Sequence, residues 1–133
     1  MKTTAAFLIS SMFWVRFCSN TSEPTQSLHE FKIKVDSIQI PTSVKVADTV
    51  AVKFFGTIGS GCAEFLRFED LTQEMTVNIT AWGYIRDRGG SCPDWMVYLD
   101  GRRYTFIATK AGQETLIIHQ PDGSIMQRFI QVL

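Results

Sequence analysis

The sequence predicts an all-β protein, an immunoglobulin-like β-sandwich of seven to nine short strands preceded by a signal peptide. Three observations carry the fold. Apolar residues recur at every second position after residue 30, as in Val50-Val52-Phe54 and Met75-Val77-Ile79-Ala81. Gly, Pro and Asp punctuate these runs at intervals of about ten residues, the strand-and-turn spacing of a sandwich. Between Phe31 and Leu133 no stretch keeps a helical period over ten residues.

The alternation opens at Phe31, Ile33 and Val35, then changes parity to Ile38 and Ile40. Such a change requires a bulge near Asp36-Ser37 or a passage from one sheet to the other there. Pro41 closes the run, Val44 and Val46 suit a short edge strand, and Val50, Val52 and Phe54 resume with Lys53 on the opposite face. Gly56, Gly59 and Gly61 mark a turn. Cys62 then opens a strand in which Leu66 and Phe68 share one face and Phe65 takes the other, with Glu69-Asp70 as its end. Thr76, Asn78, Thr80 and Trp82 alternate with the apolar Met75–Ala81 set and are expected outside, unless Gly83 bulges the strand and turns Trp82 or Tyr84 inward. Arg86 to Asp94 lacks any period and reads as a loop. Trp95, Val97 and Leu99, then Tyr104, Phe106 and Ala108, then Leu116 and Ile118 form further strands, and Pro121-Asp122-Gly123 turns the chain into Met126, Arg128, Ile130 and Val132.

With 133 residues there is room for one domain. Residues 1–17 read as a signal peptide: Lys2 supplies a short positive region, and Ala5 to Val15 an apolar one too short to span a bilayer. About 116 residues remain after its removal, enough for a core of ordinary size. A composition of 45% hydrophobic and 20% charged residues, with 10 Phe, is that of a folded chain rather than a disordered one. Lys2 and Arg16 lie in the signal and all 13 acidic residues after it, leaving 11 basic side chains and a net charge of −2. Nucleic acid is therefore not an expected partner, since binding it needs a concentrated basic face.

Two ends of the signal stay open. Val15-Arg16-Phe17-Cys18 matches a bacterial lipoprotein box at Val15 and Cys18 and departs from it at Arg16 and Phe17, where small residues are usual. With the box in use, Cys18 is lipidated and becomes the mature N-terminus, several acyl chains giving the stable attachment that one does not. Otherwise the protein is secreted after a cut within Ser19–Ser22. Residues 18–29, polar and carrying Pro24, read as a flexible tether ahead of the sandwich domain at 30–133.

In an oxidising compartment Cys62 and Cys92 are expected to form a disulfide, leaving Cys18 for the lipid. Closing a loop of about 30 residues contributes on the order of 3–4 kcal/mol by chain-entropy reasoning. Reduced thiols facing apart are the alternative. No CxxC or HxxxH spacing accompanies the cysteines, so no metal is expected there.

Catalytic constellations are missing from the sequence. His29 falls in the tether and His119 beside Gln120, neither with a neighbour that suggests a nucleophile and base. The glycines from Gly56 to Gly61 lack the lysine and helix of a phosphate loop. Asp87, Asp94 and Asp100 match no calcium-loop spacing, and Asn78-Ile79-Thr80 is a glycosylation sequon relevant only to a eukaryotic secretory route. No catalysis, cofactor or metal is expected. What remains is a candidate binding surface, Trp82, Arg86, Arg88, Asp94 and Trp95, gathered at one end if the disulfide orders the loop. The competing reading packs Trp95 in the core beside the disulfide, as in antibody domains.

Gly61-Cys62-Ala63-Glu64-Phe65, the later Cys92, Tyr104-Thr105-Phe106, Ala111-Gly112 and Pro121-Asp122-Gly123-Ser124 together resemble the pattern of small bacterial cell-envelope lipoproteins with an immunoglobulin-like sandwich. The resemblance spans most of the chain after residue 30. It implies a place, the cell envelope, and a fold, and it carries no catalytic residues. The expectation is an exported, lipid-anchored protein that binds an unknown protein or glycan or serves as an envelope component. A secreted protease inhibitor or a carbohydrate-binding module using the loop around residues 86–95 is the alternative.

Overall fold

Val50, Val52 and Phe54 alternate with half-exposed neighbours, and the strand they form, β4 (Thr49–Phe55), buries all three. The same period shapes the rest of the computed structural model, which describes residues 29–86 and 90–133. In chain order the other strands are β1 (His29–Lys32), β2 (Ser37–Gln39), β3 (Ser43–Val44), β5 (Thr57–Ser60) and β6 (Ala63–Gln73). They continue with β7 (Thr76–Ile85), β8 (Met96–Tyr98), β9 (Arg102–Ile107), β10 (Gly112–His119) and β11 (Ile125–Val132). The described residues are thus all-β, 65% strand with no helix, arranged in curled sheets. β1 takes in His29, which the tether was expected to include.

The larger sheet is built on β7. One edge of β7 pairs along its length with β6 in an antiparallel hairpin. The other edge is shared end to end, with β1 antiparallel along Trp82–Ile85 and β10 parallel along Thr76–Ile79. β11 and then β3 extend the sheet beyond β10. A second sheet has the order β2-β4-β9, and β5 pairs with β8 in a two-stranded ribbon. Val50, Val52 and Phe54 from the smaller sheet and Val77, Ile79, Leu116 and Ile118 from the larger belong to one buried cluster. Each such apolar side chain contributes about 1.5–3 kcal/mol of transfer free energy.

The parity change after Val35 is a passage between sheets. Ile33 N–H donates to Ala81 O in the larger sheet at 2.8 Å, and Asp36 N–H to Phe55 O in the smaller at 2.8 Å. Between them Val35 has left both ladders. Its N–H donates to Gln120 Oε1 at 2.9 Å, and its carbonyl accepts from Gln120 Nε2 at 2.8 Å, so one buried carboxamide satisfies both groups. Gly56 lets the crossing segment come this close, since a Cβ there would stand 2.5 Å from Lys34 O.

Two local differences from the expected pattern lie in β6. The β6–β7 register shifts between Phe65↔Gly83 and Arg67↔Trp82, so Leu66 is an extra residue and the alternation reverses across it. Phe65 and Phe68, expected on opposite faces, therefore point the same way with ring centroids 4.8 Å apart. β6 also runs past Glu69-Asp70 to Gln73, because β7 offers it paired positions down to Thr76. Gly83 does not bulge β7. A Cβ there would meet the Phe31 ring at 2.8 Å, so the missing side chain makes room for an aromatic, and Trp82 keeps its outward parity.

Gln120→Leu removes both partners of Val35 while filling a similar volume. At about 1–3 kcal/mol for each of the two orphaned buried backbone groups, the variant is expected to lose about 2–6 kcal/mol in urea unfolding followed by tryptophan fluorescence. A loss under about 1 kcal/mol would show that the crossing does not depend on this side chain.

Candidate functional site

Three places on the molecule gather polar or aromatic side chains. The first is the end where β5, β6 and β8 meet. Cys62 and Cys92 are bonded there as the sequence predicts, their Cα atoms 5.2 Å apart. Gly61 N–H donates to Pro93 O at 3.3 Å, laying the segment after Cys92 against the start of β6. Val97 then turns to the core, while Met96 and Tyr98 point out and Trp95 is 66% exposed. Trp95 lies ahead of the first paired residue of β8 and does not enter the core as an antibody-domain tryptophan does. Asp94 beside it is exposed, and Arg86 reaches the same end through its N–H, which donates to Cys62 O at 3.2 Å.

Trp82 sits lower, on the outer face of the larger sheet. Lys32 Nζ and Arg67 Cζ lie 5.8 and 5.5 Å from its ring, and Arg67 is itself held by Glu30 at 3.2 Å. The ring is half-buried and its Nε1 is buried without a hydrogen-bond partner. Between Trp82 and Arg86, Tyr84 donates its hydroxyl to Glu64 and lies under the Arg86 guanidinium at 5.9 Å. Of the residues singled out from sequence, Arg86, Asp94 and Trp95 thus share the disulfide end, whereas Trp82 is a covered ring apart from Trp95. Arg88, like Cys18 and the signal and tether of residues 1–28, lies outside the described residues.

The second place is a concavity of about 410 Å³ on the outer face, lined by Lys32, Glu69, Asp70 and His119 among others. Strand pairing brings this histidine near two carboxylates that are distant in sequence. Its described hydrogen bond, however, joins Nε2 to Asn78 Oδ1 at 3.0 Å, and Asn78 Nδ2 donates in turn to Leu71 O at 3.4 Å. The imidazole is oriented by an amide rather than by an acid, and no serine or cysteine lines the recess.

The third place is at the opposite end of β6, and sequence reasoning missed it. A cleft of about 580 Å³ opens between the last residues of β6 and strand β9, which are edge strands of their respective sheets. Asp70, Thr72 and Glu74 line one wall, Tyr104 to Ile107 the other, and Glu114 of β10 the interior. Tyr104 donates its hydroxyl to Asp70 across the gap. Burial first, and then the hydrogen bond and charge of Asp70, push the tyrosine pKa far up, so the phenol stays protonated. Glu114 is 5% exposed, and burial alone raises its pKa. The signal was present in the sequence, because Glu114 has the parity of Leu116 and Ile118 and must face inward with them.

With the geometry in hand, no protein-family model matches the chain, and neither curated proteins nor solved structures give a significant match.

Glu114 carries a pH dependence whose sign can be worked out. Its folded pKa lies above the ordinary 4.5, so the stability associated with its protonated form is complete below that value and is lost as pH rises through the raised one. Glu114→Gln abolishes the titration. The variant is expected to exceed the parent in Tm at neutral pH, with the gap closing as pH falls through the raised pKa and gone below about 4.5. Paired thermal melts across that range check this, and a gap constant with pH would refute it.

Proposed function

We propose that this protein is an exported, lipid-anchored envelope component with an immunoglobulin-like sandwich, and that it acts by binding a partner through its disulfide end. One observation carries the binding part: Trp95, just ahead of β8, and Met96 and Tyr98 within it are all large, apolar and exposed beside a disulfide. Aromatic residues and methionine are enriched in interface cores, and a cross-link fixes their position before contact, which lowers the ordering cost of association. Arg86 and Asp94 supply a charged rim. Export is supported by the apolar segment ahead of residue 18 and by paired cysteines, which persist in oxidising compartments. The two sheets closed over one core support the sandwich.

A protein partner suits this end better than a glycan. A sugar-binding platform calls for coplanar exposed rings, and Trp82 is covered by Lys32 and Arg67 while Trp95 stands alone as an exposed indole among the described residues.

Two measurements test the reading. Intact mass of the protein purified from native membranes is expected to show acyl chains on Cys18, and to gain two hydrogens on reduction. Recovery in the cytosol with its signal uncut would overturn the localisation. For binding, Trp95→Ala combined with Tyr98→Ala is expected to weaken capture of an envelope partner by about 30-fold or more, the scale of a 2 kcal/mol hot spot, with Tm unchanged. Undiminished capture by the double variant would place the interface elsewhere.

A further inference from the structure

The cleft at the far end of β6 has an unbalanced chemistry. Its charged lining residues are Asp70, Glu74 and Glu114, and no lysine or arginine lines it. Asp70 already accepts from Tyr104. Glu114 is different: more than nine-tenths buried, it faces the cleft from the core side of β10 and has neither a hydrogen bond nor an ion pair. Its carboxyl oxygens still meet the water of the cleft, but the surrounding burial disfavours the ionised form unless a counter-charge or donors meet it. Nothing in the fold requires an acid here, since the next inward residues of β10 are Leu116 and Ile118.

We propose that the cleft is a binding site for a primary alkylammonium group, which pairs with Glu114 at its inner end. The neighbours suit both halves of such a ligand. Thr72, on the inward side of β6 with Asp70, offers a hydroxyl to the ammonium protons, while Phe106, on the inward side of β9, offers apolar surface to the hydrocarbon. Glu74 at the β6–β7 turn adds charge at the rim. A volume of about 580 Å³ falls within the range of small-molecule sites and exceeds what one metal ion needs. Among the described residues no three ligating groups converge closely enough to hold a metal. An organic cation, which spreads its donors over several ångströms, fits the spacing better. This site is at the opposite end of the molecule from the disulfide surface and stands independently of the function proposed for it.

Free polyamines and the lysine side chain of another protein present the same group. The probes are therefore spermidine and Nα-acetyl-lysine amide, with the neutral isostere Nα-acetyl-norleucine amide as control, titrated into the folded protein and followed by amide chemical shifts. A cation is expected to give saturable shifts at Thr72, Thr105 and Thr109. Spermidine binding at least tenfold tighter identifies a free polyamine site, and any smaller preference or the reverse identifies a lysine-reading one. Glu114→Gln is expected to weaken the better cation by tenfold or more. Glu74→Gln, in an exposed turn where the fold is not at risk, is expected to weaken it by about two- to fivefold, the scale of an exposed ion pair. Failure of both cations to shift these amides, equal shifts with the norleucine control, or equal affinity in Glu114→Gln would overturn the proposal.

Discussion

The fold depends on how one residue, Val35, is satisfied where the chain belongs to neither sheet. A segment that crosses between two packed sheets must abandon one ladder before joining the next, and it does so in the interior, where water cannot replace lost partners. Here a glutamine at position 120 supplies one acceptor and one donor on the same planar group, the pair that a neighbouring strand would have offered. Glutamate or leucine cannot do both. The position is also determined by topology. β1 and β10 share one edge of β7 end to end, so the residue that follows β10 arrives where β1 departs.

That junction explains which parts of the fold were legible in the sequence. Alternation reports which face of a strand is buried, and it identified the inward sets of β4, β7, β9 and β10 and the change of parity after Val35. It says nothing about which strand lies alongside, so the parallel pairings of β10 with β7 and of β3 with β11 could not be read. Leu66 carries no mark of a bulge, since neither glycine nor proline signals it, and only the register with β7 reveals the reversal at Phe65 and Phe68. The disulfide was legible because, of three cysteines, one lies in the N-terminal segment and the other two lie in the strand region. Glu114 was readable from parity yet easily passed over, because an acid between polar neighbours looks like part of a solvated turn until the inward-facing leucine and isoleucine that follow are counted with it.

Aromatic residues then close what the sheets leave open. β6 and β9 each end a sheet, and an exposed edge invites pairing with other chains. Phe65, Phe68, Tyr104 and Phe106 form a ladder across this gap, with Phe68 and Tyr104 in an edge arrangement at 5.7 Å and the Arg102 guanidinium 4.3 Å from the centre of the Phe65 ring. Such contacts contribute about 0.5–1.5 kcal/mol each beyond area burial. On the outer face the Lys32, Arg67 and Glu30 group covers Trp82. An ion pair as exposed as Arg67–Glu30 contributes little by itself, so its effect is to shield an indole.

The hairpin of β6 and β7 also gives the molecule a polarity. His29 pairs with Ile85, and Ile85 pairs with Ala63 next to the bonded Cys62, so the chain enters the fold at the pole that carries Trp95. Ten further residue steps along β6, roughly 33 Å at strand rise, separate that pole from the acidic cleft. His29 is therefore on the aromatic side, and the carboxylates look the other way. The indole and the negative mouth thus look away from each other, so a molecule seated on one leaves the other open to solvent.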